Sequence, residues 1–124
     1  MAFSITHDDL GHAMLARANA GVDVSSVFEK VGSQTQYAEL IKLFCANIPI
    51  RQDGNPSFLH HKYIVVDDQI VNIGSLNFSN NANTSNDENV IIVDNSDIAA
   101  LYIQEFVRVW TQAKDPDPAK LECN

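Results

Sequence analysis

The run HHKYIVVDDQIVNIG, residues 60–74, constrains the fold more than any other stretch of the chain. His61 to Val66 and Gln69 to Ile73 are short, apolar and rich in β-branched residues, which suit a pleated surface. Asp67 and Asp68 separate them as turn residues, so the segment predicts a β-hairpin. Side chains two apart on a strand share a face, so His60 and Lys62 project together, as do Ser75 and Asn77 where the second strand ends. Imidazole, ammonium, hydroxyl and amide groups can then converge on one small anion, with Gly74 letting the backbone come close. Asp67 lies at an odd offset from His60 and at the turn. That position predicts a supporting role, holding the hairpin or Lys62 rather than touching substrate.

The full order is His60-x-Lys62-x4-Asp67, then Gly74, Ser75 and Asn77, with Glu88 following in the run NDEN. This pattern resembles the phospholipase D superfamily, whose HxKx4D motif is followed by Gly-Ser and Asn at these offsets. The resemblance covers nearly the whole chain: Val22 to Glu29, Tyr37 to Ala46, Asp53 to Pro56 and Glu105 to Trp110 echo the nuclease-like and phospholipase-D-like domain proteins of bacteria and archaea. It implies an α/β fold with a mixed β-sheet flanked by helices on both faces. It also implies a phosphodiesterase with no cofactor, whose catalytic set is His60, Lys62, Asp67, Asn77 and Glu88, with Gly74 and Ser75 joining Lys62 and Asn77 in substrate binding. Family domains usually begin with a strand and a helix upstream of the point matching Phe3, so the chain is expected to be the C-terminal portion of a longer, N-terminally truncated protein.

Phosphodiester hydrolysis without a metal needs a nucleophile, cover for the non-bridging oxygens and an acid for the leaving oxygen. His60 is the expected nucleophile. A neutral imidazole attacks through one nitrogen while the other holds the proton, and Glu88 accepting that N–H would fix the tautomer. Lys62 and Asn77 would hold the equatorial oxygens, assisted by Ser75, and the resemblance implies a phosphohistidine intermediate. In-line displacement puts nucleophile and leaving group on opposite sides of phosphorus, so His60 cannot also be the first acid. His61, the next strand residue, faces away. A second HxKx4D half is therefore expected from a homodimer mate or from an N-terminal region. A metal site on His60 and His61 with Asp67 or Asp68 is the rival chemistry, disfavoured because adjacent strand residues diverge.

At 124 residues the chain is one domain, expected to span 1–113, with 114–124 as a frayed, Pro-broken acidic tail. A formal charge of −8 counts against tight non-specific polyanion binding. A few local cations, Lys62 with Arg51 near it in sequence, are enough for one phosphate. No apolar run is long enough to cross a bilayer and MAFSITHDD lacks the blocks of a signal peptide, so a cytoplasmic location is the default expectation. Cys45 and Cys123 fit neither a zinc spacing nor a disulfide framework, and Cys45 reads as a small core residue.

Helices are predicted near 7–20, 36–46 and 96–113, with Thr6 and then Asn95 or Ser96 as caps and Tyr37, Leu40, Ile41 and Phe44 as a core stripe. Strands are predicted at Val22 to Phe28, at Ile48 to Ile50 and, as a buried one, at Asn89 to Asp94. Gly32 to Gln36 and Ser79 to Asp87 read as loops, and His7 and His12 as solvated or packing histidines. Three functions stay open: an endonuclease-type phosphodiesterase on nucleic acid, a phospholipase or transphosphatidylase, and a non-catalytic half that completes a partner's site. The closeness of NFS and NDEN to nuclease-like members favours the first.

Overall fold

The computed structural model describes residues 1–35 and 38–123. Gln36 and Tyr37, the start of the expected helix 36–46, lie outside the described residues. The elements run α1 (Asp8–Asn19), β1 (Ser26–Phe28), α2 (Glu39–Cys45), β2 (Ile50–Gln52), β3 (Tyr63–Val66), β4 (Ile70–Gly74), α3 (Asn80–Thr84), β5 (Val90–Asp94) and α4 (Ser96–Gln112), followed by a short 3-10 turn at Pro118–Lys120. Strands β1 and β2 pair in parallel, and β3, β4 and β5 pair antiparallel in that order.

The first residues of the chain join these two sheets. Ala2 bridges Phe28 in parallel and Lys62 antiparallel. The Ala2 N–H donates to Val27 O at 3.2 Å and the Phe3 N–H to His61 O at 2.9 Å. A mixed sheet results, with alternate residues feeding two cores. Phe28, Ala2 and Ile50 pack with Leu40 and Leu43 beneath α1 and α2. Val27, Met1 and Tyr63 pack on the other side with Val109, Tyr102 and Phe106 of α4. Helices thus lie on both faces, as the α/β reading required.

The long helices follow their sequence signals closely, though their caps differ. Helix α4 starts where Asn95 accepts the N–H groups of Asp97 and Ile98 at 2.9 and 3.0 Å, satisfying two orphan donors. Helix α1 is capped by His7 rather than Thr6, with no side-chain hydrogen bond. The short α3 falls inside the expected loop 79–87. Ser79 caps it through its hydroxyl, which accepts from the Ala82 N–H at 3.3 Å.

Three expectations are corrected. The tail beyond residue 113 is docked rather than frayed: Lys114 and Gln52 exchange backbone hydrogen bonds at 2.8 and 2.9 Å, and Leu121 is buried with the α1 and α2 core. Cys45 and Cys123 form a disulfide, their Cα atoms 5.5 Å apart across 78 residues of sequence. The tail returns to the end of α2, a proximity that sequence spacing does not encode. Finally, β5 is not buried. Ile91 and Ile92, on opposite faces, are 57% and 68% exposed, because β5 is an edge strand: Ile92 lies on the face that α4 leaves open, and Ile91, on the α4 face, lies beyond the cover that the helix gives β3 and β4.

Candidate active site

The hairpin register gathers the candidate residues at one end of the three-stranded sheet. Tyr63 pairs with Ile73, and Gly74 with Val90, so the approach to β3, the exit from β4 and the approach to β5 are neighbours. Those three segments carry His60 and Lys62, Ser75 and Asn77, and Glu88. Asp67 is at the opposite end. It and Asp68 take φ of 54° and 53°, a two-residue turn with left-handed residues, closed by the Gln69 N–H donating to Val66 O at 3.1 Å. The structure leaves Asp67 out of the cluster, in the hairpin-holding position.

Lys62 is the centre of what remains. Its Nζ lies 3.3 and 3.2 Å from Nδ1 and Nε2 of His60, donates to His60 O at 3.0 Å and sits 5.5 Å from the ring centroid of Phe3. Partial desolvation lowers the Lys62 pKa, against the pull of the Glu88 charge. The carboxylate of Glu88 accepts from the Ser75 hydroxyl and, at 3.2 Å, from the Asn86 amide. Those two hydrogen bonds, with the Lys62 charge behind them, hold Glu88 below the usual carboxylate range. Glu88 therefore does not hold the His60 ring in this arrangement. Its oxygens are taken by donors from β4 and its own loop, and Lys62 lies against the imidazole instead.

Ser75 is fixed twice to the start of β5. Its N–H donates to Asn89 O at 3.1 Å and its Oγ accepts the Asn89 N–H at 3.0 Å. A Cβ at Gly74 would run into that same Asn89 carbonyl, so the glycine permits close approach of β5 rather than of a substrate. Three residues after Ser75, the Phe78 N–H donates to Ser4 O and the Thr6 N–H to Phe78 O, pinning the segment that carries Asn77. The Asn77 side chain has its Oδ1 buried without a hydrogen-bond partner among the described residues.

The neighbours of the motif point elsewhere, as strand alternation requires. His61 Nε2 lies 2.9 Å from Glu105 Oε1 on α4, away from His60. Among the described residues no three histidine, cysteine or carboxylate side chains stand together as metal ligands, and the rival set of His60, His61 and Asp67 or Asp68 is not assembled. Arg51, expected as a second cation, is also engaged on the α4 side. Its guanidinium donates to Trp110 O at 2.9 Å, pairs with Asp115 at 3.2 Å and stacks 4.7 Å from the Trp110 ring centroid.

Two positioning residues escaped the sequence reading. Buried Glu29, at the end of β1, accepts the Leu59 N–H at 2.5 Å and so fixes the backbone immediately before His60. Phe3 packs its ring 5.1 Å from the imidazole of His60 and 6.2 Å from the ring of Phe58. Neither has a local signal, because each reaches the site through pairing of distant segments.

Residues 1–110 match the family described as cardiolipin synthase, PLD-like domain. The mitochondrial cardiolipin hydrolase of Chlamydomonas reinhardtii is 32% identical over 112 residues, covering 90% of this chain and 50% of that protein. A phospholipase D of Rickettsia bellii is 33% identical over 101 residues, covering 81% and 50%. The chain thus spans about half the length of the curated relatives it matches. Among solved structures, the phospholipase D family member Nuc from Salmonella typhimurium superposes with a TM-score of 0.85 at 31% identity, covering 94% of this chain and 78% of that one. NucT from Helicobacter pylori shares the fold, with a TM-score of 0.82 at 19% identity over 93% and 79% of the two chains. With residues 1–110 matched and this agreement in sequence and fold, the chain belongs to the phospholipase D-like domain family.

Proposed function

We propose that the chain hydrolyses phosphodiester bonds through a phosphohistidine on His60, without a metal ion, and that its substrate is nucleic acid. The observation that carries this reading is the Lys62 ammonium seated against the exposed imidazole of His60, with the Ser75 and Glu88 pair alongside. An ammonium has only protons to give, so Lys62 and the Asn77 amide serve as donors to the non-bridging oxygens while an imidazole nitrogen attacks phosphorus. The P–N bond forms as the P–O bond to the leaving group breaks. Water then cleaves the P–N bond and returns the imidazole. Glu88 acts through the field it places on Lys62, and reaches the His60 N–H if the ring turns once phosphate draws Lys62 away.

The leaving oxygen needs a proton from a group opposite His60. A second copy of the chain, bringing its own His60 across a two-fold axis, supplies it in this reading. The Cys45–Cys123 disulfide further supports an oxidising compartment, in place of the cytoplasmic default. No described helix is long and apolar enough to cross a membrane.

A second reading, hydrolysis of a phosphatidyl substrate, is favoured by the names of the curated relatives, mitochondrial cardiolipin hydrolases among them. The two are separated by assaying single-stranded DNA, RNA, phosphatidylcholine and cardiolipin side by side with wild type and His60→Ala. Turnover of nucleic acid that survives chelator, disappears in His60→Ala and elutes with a dimer is the expected result. Turnover confined to lipid moves the substrate to the second reading, loss of turnover in chelator refutes metal independence, and an active monomer by light scattering refutes the paired site. A folded protein that turns over none of the four leaves the role of a half-site completing a partner.

A further inference from the structure

Beside His60 lies a cavity of about 340 Å³, between the loop before β3 and the end of α4. Its lining includes Asp53, Asn55, Phe58, His60, Arg108 and Gln112. The volume falls in the ~300–1,000 Å³ range of sites that take small organic groups. Phe58 is its unusual member: the side chain is large and aromatic, yet 63% exposed, in a chain that buries Phe28 almost completely. Its ring is not loose, because Phe3 meets it edge-on with centroids 6.2 Å apart, and Phe3 rests in turn on His60. A ring braced through Phe3 and otherwise open is a stacking surface.

Leu59 and Val109 add apolar surface to the lining, and the rest is polar. Asn55 spends its Oδ1 on the Ser57 N–H, which leaves its amide NH2 as donor. Arg108 spends Nε and one terminal nitrogen on Glu105, which leaves the other. An acyl chain entering here would meet Leu59 and Val109 but would also have to face a guanidinium, a carboxylate and two amides that it cannot hydrogen-bond. A flat heteroaromatic group with donors and acceptors around its rim meets both the ring and the polar edge. The overall charge of −8 sharpens the point, since a chain so acidic gains little from long-range attraction to a phosphate backbone and must hold a strand by other contacts.

We propose that this cavity takes the unpaired base of a nucleotide flanking the phosphate that His60 attacks, with Phe58 as its stacking face, so that the chain selects single strands. The proposal rests on the nucleic-acid reading above. Phe58, His60 and Lys62, at alternate positions of the chain, share contacts with Phe3, which sets base and phosphate subsites side by side.

The test is fluorescence anisotropy of a short labelled single-stranded oligonucleotide, intact or abasic at every position, with wild type, Phe58→Ala and Phe58→Trp. Because Phe58 is exposed, its variants fold, which unchanged melting temperatures check. Phe58→Ala is expected to weaken binding of the intact strand about tenfold, within what stacking of one base supplies. Phe58→Trp should retain it, and the abasic strand should bind weakly and equally to all three proteins. Undiminished binding of the intact strand by Phe58→Ala, or an equal loss with the abasic strand, overturns the base pocket and leaves the nucleic-acid reading standing. Wild type that binds neither strand overturns both, and hydrolysis of cardiolipin vesicles by that same protein assigns the site to lipid.

Discussion

The two parts of the sheet are built on opposite terms. In the parallel pair, Ser26, Val27 and Phe28 are all buried, with Phe28 facing the core under α1 and α2 and Val27 the core under α4. In the antiparallel part, α4 covers one face only, and the other leaves Val66, Ile70, Val90 and Ile92 exposed. The cysteines are placed likewise. The disulfide ties the tail to α2 on the parallel side, whereas every motif residue sits at one end of the antiparallel side or on its turn. Stability is concentrated in one part and the proposed chemistry in the other. Substitutions should therefore separate the two properties.

The sharpest separation is expected at His60. Its exposed ring contributes little to the core, so His60→Ala should lower kcat/KM by about 10³-fold or more, as loss of a covalent nucleophile does, while the melting temperature stays put. A parallel fall in both would show that the motif is structural after all.

On the parallel side the order reverses. Reduction of the disulfide, or Cys45→Ser with Cys123→Ser, releases a loop of 78 residues and should cost on the order of 4 kcal/mol in denaturant unfolding. The hairpin register does not depend on it, so the variants should keep their turnover under conditions where they remain folded. Equal midpoints with and without reductant would mean that the docked tail holds by packing alone.

A smaller contrast comes from two single truncations. Leu43 is fully buried between α1, α2 and the sheet, and Leu43→Ala should cost about 2–5 kcal/mol as transfer and cavity terms add. Ile92, though equally apolar and in mid-strand, is 68% exposed, and Ile92→Ala should stay within about 0.5 kcal/mol. Similar losses at both positions would mean that β5 is covered in solution, as pairing of two chains along this edge would do.

What the sequence disclosed follows the same division. The hairpin was legible because β-branched runs and the Asp67-Asp68 turn are local, and the nearness of Lys62 and Ser75 followed from its register, whereas Glu88 was expected there only from the family resemblance. Helix α4 was legible from Asn95 and its apolar stripe. The run Asn89 to Asp94 misled, because an apolar sequence states what a strand prefers and not whether a neighbour covers it. Long-range pairings left no mark at all. Arg51 on Trp110, Glu29 on the Leu59 N–H, Phe3 on His60 and the Cys45–Cys123 bond each join segments whose separation along the chain says nothing of their distance in space.

The finest contrast is between two carboxylates, one on α4 and one at the open edge. Glu105 is held by the Arg108 guanidinium first and by His61 second, which lowers its pKa from 4.5 to about 2. A depressed carboxylate stabilises the fold fully above its unfolded value, and that contribution is lost as pH falls from about 4.5 towards 2. Glu105→Gln should therefore flatten the acid limb of the stability curve over that window. Glu88 is lowered first by the Ser75 hydroxyl, but it lies at the surface, only partly covered, so its titration should leave global stability nearly unmoved. What Ser75→Ala should change is the titration itself: the Glu88 carboxyl resonance, followed by NMR, should shift at higher pH than in wild type, and the acid limb of turnover should move up with it. A carboxyl titration that stays in place would detach Ser75 from Glu88, leaving the serine's hydrogen bonds to Asn89 as its whole contribution to the site.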